Sequence, residues 1–461
     1  MKGCVITGIF LLCMMSCTFL ADQSLENHTY YLDPAAGSFE GDGSLSDPWP
    51  GLNEIISAGM IRSHYPQEHP WDKGDPLVLR NPDAPIKAGD TLRLLSGDYG
   101  SITLSEMHFL LPLTIETQPG HSATASELRI VASSNIIVAG LEIRPEPGYE
   151  EAYTLVSVSS HNWQGPSYDV TVKNCTVYSV SDISSWGLDE WNTLACSGVS
   201  AGGDRINVID NTVLNVNFGI SYTGNYGTVK GNTVRNFAGD GLRGIGNDLL
   251  FEGNTVMDNY NVNDNHDDGF QSWSLVQYDQ PPRERVVLRG NTIINCTDPG
   301  RPFQGGLQGI GCFDGFFIDW IVENNLILVD HWHGITFLGA RGVIVRNNTV
   351  VDTTGVTPGP SWIMIGAHKD GRPSSGCLVQ NNIAHSISMD PSFGLERGNI
   401  EIGDLSELDV LFSDPYAGDF SLARESPAVN TGVLDKRAIT DINGDLRPKG
   451  RGVDIGAFES Y

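Results

Sequence analysis

One short phrase recurs along this chain: an apolar residue, any residue, then Gly, Asn or Asp, then Asn, any residue and another apolar one. Seven copies occupy 208–213, 229–234, 251–256, 288–293, 322–327, 345–350 and 379–384. Their markers, Asn211, Asn232, Asn254, Asn291, Asn325, Asn348 and Asn382, stand 21, 22, 37, 34, 23 and 34 residues apart, and an earlier copy at 172–177 puts Cys175 in the marker place. The short steps define a coil of about 22 residues, and the long ones carry insertions. Between markers come short β-branched runs punctuated by Gly, Asn or Asp, which is strand patterning rather than a helical period. Strands that follow one another without hairpin turns must stack coil on coil. Equivalent residues then lie about 4.8 Å apart, so the Asn amides can bond to one another and to the turn backbone. The spacing excludes leucine-rich and hexapeptide repeats.

A stack of coils grows by addition, so 461 residues need not divide into domains of ~150 residues. Gly at 53 positions and a charged fraction of 18% imply many tight turns and few solvated helices. A formal charge of −28 repels nucleic acid and anionic membranes, so nucleic acid is not an expected partner. It also repels an acidic polymer unless local Arg or Lys reverses the field. Residues 1–21 read as an export signal, with Lys2 ahead of an apolar run over 5–20. Met14-Met15-Ser16-Cys17 resembles a bacterial lipobox, so the chain is expected outside the cytoplasm, secreted or lipid-anchored through Cys17. No later segment approaches the ~18 apolar residues of a transmembrane span. The cysteines beyond the signal, Cys175, Cys196, Cys296, Cys312 and Cys377, are odd in number and lack C-x-x-C spacing. They are expected as small buried residues rather than disulfides or zinc ligands.

The marker phrase and its spacing resemble the pectate-lyase-like right-handed parallel β-helix superfamily, over roughly 100–400. Tyr30-Tyr31-Leu32-Asp33-Pro34, Gly41-Asp42-Gly43-Ser44 and Pro48-Trp49 are similar to the entry segment of secreted members, where a strand and a Gly-rich loop lead to a capping helix, here about 52–58. Such a cap covers the open end of the stack. Ser426-Pro427-Ala428-Val429-Asn430-Thr431-Gly432 and Gly452-Val453-Asp454-Ile455-Gly456-Ala457-Phe458-Glu459 resemble the tail of bacterial secreted β-helix proteins. The resemblance implies an all-β chain: an N-terminal strand and cap over 22–100, a right-handed parallel β-helix over 101–395, and a packed tail over 396–461. A monomer acting on a polysaccharide is expected.

In that superfamily the loop after the third strand of a coil and the first strand of the next line the cleft. The layout aligns Asp240-Gly241-Leu242-Arg243, Asp268-Gly269-Phe270-Gln271 and His333-Gly334-Ile335-Thr336. Leu242, Phe270 and Ile335 are expected to point inward in one column. Arg243, Gln271 and Thr336 are expected in an outward column, with Gln308 between the last two. The loop Asn263-Asp264-Asn265-His266-Asp267-Asp268 crowds ionisable groups, at a cost in repulsion unless a cation, a proton or Arg243 compensates. As hard oxygen ligands, Asp264 and Asp267 are candidates for Ca²⁺. Asp240 with Asp268 or Asp267 would be acid and base in an inverting glycoside hydrolase, whose carboxyls stand about 6.5–9.5 Å apart. His266 or His333 would be the base that takes the proton α to a uronate carboxylate, with Arg243 stabilising the enolate. As a plain turn, the loop needs only Asx-type hydrogen bonds. Gln271, Trp273, Gln308 and Trp332 are candidates for substrate binding, the tryptophans together with Trp362 by stacking on sugar rings. Lys369 and Arg372 would offset the acidic charge.

Asp268-Gly269-Phe270 and His333-Gly334-Ile335-Thr336 resemble elements of polygalacturonases, although Trp332 stands where that family has Gly and no Arg-x-Lys follows. Asp264-Asn265-His266 is similar to the Asp-Pro-His of alginate C5-epimerases, with Tyr260 nearby. The expected function is an extracellular polysaccharide lyase acting on a uronate-containing polymer by β-elimination. It ranks above a glycoside hydrolase, a C5-epimerase and a noncatalytic glycan-binding solenoid. The ranking rests on Arg243 holding its neighbouring carboxylates ionised.

Overall fold

The computed structural model describes residues 27–274 and 281–460, so the signal at 1–21 lies outside the described residues. Three long parallel sheets run the length of the chain. Each coil visits the first sheet, then the second, turns at the marker, and enters the third. The first sheet has 11 strands, from Ser101–Ser105 to Ser386–Met389, and the third has 12, from Gly97–Asp98 to Ile400–Glu401. This is a right-handed parallel β-helix. The coils begin with Thr91–Leu94 and end with Ile400–Glu401, so both boundaries of 101–395 fall inside the stack.

Side chains that alternate on a strand alternate between core and solvent, and parallel register turns each inward position into a column. In the second sheet Val208, Val229, Phe251, Leu288, Val322, Val345 and Val379 lie in register. In the third sheet Val213, Val234, Val256, Ile293, Ile327 and Val350 do the same. All are buried. Each such side chain contributes roughly 1.5–3 kcal/mol over exposure, so the stack is stabilised by columns that no single coil could bury.

The markers form the expected column. Asn211, Asn232, Asn254, Asn291, Asn325 and Asn348 each donate Nδ2 to Oδ1 of the next marker at 2.9–3.0 Å. Cys175 begins the column by donating its backbone N–H to Asn211 Oδ1 at 2.9 Å, and Asn399 extends it beyond Asn382 at 3.1 Å. The residue before each marker is left-handed: Asp210 at φ 54°, Gly231 at 67°, Asn324 at 56° and Asn381 at 55°. That conformation is the reason for the Gly, Asn or Asp of the phrase.

The helix Leu52–Ser57 buries Leu52 and Ile55 against the first coils, as the cap requires. At the other end Phe412, Phe420, Ala428 and Ile455 of the tail pack on Leu326, Val351 and Ile383 of the third sheet. Among the described residues no helix is long and apolar enough to cross a membrane. Cys175, Cys196, Cys312 and Cys377 are free and buried, and Cys296 is free and partly exposed. The long steps place their extra residues at 260–267, 295–307 and 352–361, before first-sheet strands, and at 367–376, after one. The insertions therefore flank the first sheet.

Candidate active site

Leu242, Phe270, Ile310 and Ile335 register as the inward column of the first sheet, and Arg243, Gln271, Gly311 and Thr336 lie beside it in the alternate column. Gln308 is not in that column; it registers against Asp268. A Cβ on Gly311 would stand 2.2 Å from Asp268 Oδ1, so only glycine leaves room for that carboxyl.

Asp240, Arg243, His266, Gln271 and Trp273 line one cleft of about 360 Å³, with Asp264 and Lys369 also on its wall. Arg243 Nε donates to Asp240 Oδ2 at 2.5 Å, and its guanidinium lies 3.7 Å from the centre of the Phe218 ring. Asp240 Oδ1 accepts the backbone N–H of Asp268 at 3.0 Å. Among the described residues neither Nη of Arg243 has a hydrogen-bond partner, so the fork is fixed by Asp240 and Phe218 while its outer donors remain available. His266 Nδ1 lies 3.2 Å from Asp268 Oδ2, which also accepts from Gln271 Nε2 at 2.9 Å.

Burial dominates the carboxyls. It raises Asp240 despite Arg243, pushes Asp268 up to about 7 and pushes Asp267 up to about 8. The expectation that Arg243 keeps its neighbours ionised is thus corrected: desolvation outweighs the guanidinium. The hydrogen bond that its Nδ1–H donates to the Asp268 carboxylate raises His266.

Several sequence candidates lie elsewhere. His333 is half-buried, with Nδ1 on Thr336 Oγ1 at 2.9 Å, and burial together with His331 and His266 lowers it to about 4. It packs edge-on against Phe313, a cleft residue, but does not itself line the cleft. Trp332 stacks on Trp362 and forms a separate aromatic ledge, 41% exposed at Trp332. Arg372 is held by Asp370 and Phe316 rather than by the cleft. Gln308 is buried. Asp264 faces the cleft, whereas Asp267 turns inward and accepts from Asn259 Nδ2 at 3.1 Å. These two do not converge as Ca²⁺ ligands, and among the described residues no group of three or more His, Cys, Asp or Glu is arranged to hold a metal ion. Tyr260 stacks on Trp191 outside the cleft. The helix Leu188–Leu194 steadies the loop through Asn192, which donates to Val262 O at 3.4 Å and accepts from Asn263 at 3.3 Å.

Phe218, Phe313 and Asp314 line the cleft without having been singled out. Phe218-Gly219-Ile220 aligns one coil before Asp240-Gly241-Leu242, so coil spacing alone points to Phe218. Phe313 and Asp314 are hidden by an irregular register between Ser272 and Trp273.

A model of the right-handed β-helix region matches residues 159–356. A pectate lyase, Pel9A, superposes over 94% of this chain and 97% of its own at a TM-score of 0.51 and 14% identity. XylC in complex with xylose covers 94% of this chain and 99% of its own at 0.48 and 9% identity. A rhamnogalacturonan lyase covers 92% and 96% at 0.36 and 14% identity. No curated protein matches the sequence. The family match and the superposition on Pel9A show the fold, a right-handed parallel β-helix. The likeness is of fold.

Proposed function

We propose that this chain is an exported, polysaccharide-active enzyme that cleaves a uronate-containing glycan by β-elimination. One observation carries the reading: His266, backed by the buried Asp268, and a guanidinium with free outer donors line the same cleft. Asp268 Oδ2 fixes the imidazole through Nδ1, which leaves Nε2 as the base. The Nη groups of Arg243 offset the charge of a bound uronate carboxylate, which makes the C5 proton more acidic. His266 takes that proton, the C4–O bond breaks, and a C4=C5 double bond forms. The departing oxygen receives its proton from His266 or from water. Trp273 and Phe313 provide apolar faces for adjoining sugar rings.

The hydrolase reading needs a carboxylic acid that reaches the glycosidic oxygen. Asp240 and Asp268 are both buried, and Asp240 has both oxygens engaged. Tyr260, packed on Trp191, lends no support to an epimerase. The test is a panel of acidic and neutral polysaccharides read by ultraviolet absorbance and reducing ends together. Unsaturated product is expected from a uronate polymer, and Arg243→Ala should lower kcat by roughly 10²–10³-fold. Reducing ends without unsaturation would establish hydrolysis instead.

A further inference from the structure

Phe218, Arg243, Gln271 and Phe313 line the cleft from four successive coils, so it runs along the stack rather than across it. The next two first-sheet strands, His333–Leu338 and Trp362–Gly366, continue in the same direction. An aromatic path leads onto them from the cleft wall. Phe313 meets His333 edge-on with ring centres 4.9 Å apart, His333 meets Trp362 edge-on at 5.4 Å, and Trp362 stacks on Trp332 at 5.9 Å with 13° between the planes. His266 is near enough for its charge to lower both His331 and His333.

The two indoles are held in place. Trp362 Nε1 donates to Thr336 Oγ1 at 3.1 Å, and Thr336, outward in register yet buried, also meets His333 Nδ1 at 2.9 Å. The backbone N–H of Trp332 donates to Pro358 O at 3.2 Å, and its carbonyl accepts from Trp362 N at 2.8 Å and Gly334 N at 2.9 Å. Trp332 thus presents its ring from a pinned loop, with 41% left exposed. A large aromatic surface kept in water forgoes the gain of burial until a flat, partly apolar ring stacks on it. The C–H face of a pyranose is such a ring. Trp362–Gly366 lies three strand steps from Asp268–Trp273, or about 14 Å at ~4.8 Å a step. A glycan that lies against His266 in the cleft therefore runs on for several sugar residues before it meets the indoles.

We propose that the Trp332–Trp362 stack is a distal subsite of the cleft, which takes the C–H face of a pyranose ring well away from the reacting bond and makes the enzyme favour long chains over short ones. This role rests on the reading of the cleft as the place where a uronate-containing glycan is cut. Phe313 and His333 bridge the two places, so one unbroken glycan occupies both.

The test compares the full chain with its Trp332 variants on tri- and hexasaccharides of galacturonate and of mannuronate, by initial rates read in ultraviolet absorbance and in reducing ends. At least one hexasaccharide should be cut, with a lower KM than its trisaccharide. Trp332→Ala should raise the hexasaccharide KM about five- to tenfold and leave kcat and the trisaccharide kinetics near those of the parent, because the lost contact lies away from the reacting bond. Trp332→Leu, which keeps apolar bulk against Trp362 but has no ring to stack, should do the same and keeps the test open should the alanine variant fail to fold. Trp332→Phe, which restores a ring, should recover most of the loss. Unsaturated product with an unchanged hexasaccharide KM in Trp332→Ala and Trp332→Leu would leave elimination standing and overturn the subsite. Reducing ends without unsaturation, with the same dependence on Trp332, would overturn elimination and leave the subsite standing. An equal rise in KM for both chain lengths, or no hexasaccharide cut, would overturn the subsite.

Discussion

The Asp268 carboxyl occupies space that only Gly311 leaves open, with one oxygen facing His266 and Gln271 and the other without a partner among the described residues. Loss of the imidazolium proton frees Nε2, and the hydrogen bond that His266 donates to Asp268 moves that step above the ordinary imidazole value of 6.5. Activity should therefore rise with pH along an acid limb that inflects above 6.5. Asp268→Asn should move the limb down toward 6.5 and lower the rate, as a kcat/KM–pH profile will show. Asp267 has a different consequence. Its folded form holds a proton up to about 8, whereas the unfolded chain releases it near 3.8. Stability from this group is complete below about 4 and is lost as pH rises to about 8. Asp267→Asn should raise the melting temperature at pH 8 and change it little at pH 4, by calorimetry at both values.

Coils were legible because their signal is local: a left-handed residue followed by a laddering amide must be written as Gly, Asn or Asp before Asn in every turn. The ladder also predicts the cost of breaking it. Asn254 Oδ1 accepts both the backbone N–H and Nδ2 of Asn232, each at 3.0 Å, inside the stack. Asn254→Ala orphans these donors at about 1–3 kcal/mol each. Asn399→Ala, at the partly exposed last rung, should cost less, and urea unfolding of the two variants will separate them. Register within the inserted coils was less legible. Gly306-Leu307 and Gly309-Ile310 each offer a glycine and an apolar residue for the inward column, and the structure selects Ile310 against Phe270. Choosing Leu307 slides Gln308 three positions from its true partner, Asp268. The burial that raises Asp267 and Asp268 was equally hidden, because solvent exclusion depends on neighbouring coils rather than on the loop's own residues.

Across the whole molecule, the left-handed position before the marker changes character along the stack. In the middle coils it is Gly231, Gly253 and Gly290, and in the last coils Asn324, Asn347 and Asn381. The change coincides with the tail. Asn324 donates to Thr440 O at 2.8 Å, and Asn381 both donates to Val433 O and accepts from Val433 N at 2.8 Å. One side chain thus serves the coil turn through its backbone and the tail through its amide. Arg447 completes the attachment from a fully buried site. It donates to Glu459 Oε1 at 2.6 Å, Gly456 O at 2.7 Å and Asn324 Oδ1 at 3.2 Å. Arg447→Ala would leave Glu459 buried without its counter-charge, a loss of about 3–5 kcal/mol. In a stacked architecture such a loss need not spread, since each coil contacts only its neighbours. The variant should therefore lose the tail before the stack, with a new low-temperature transition and proteolytic cleavage after residue 402 that leaves the coils intact. Tyr416 and Phe420 of the tail wall a cavity on the outward face of the third sheet, which should open in the same step while turnover in the cleft persists.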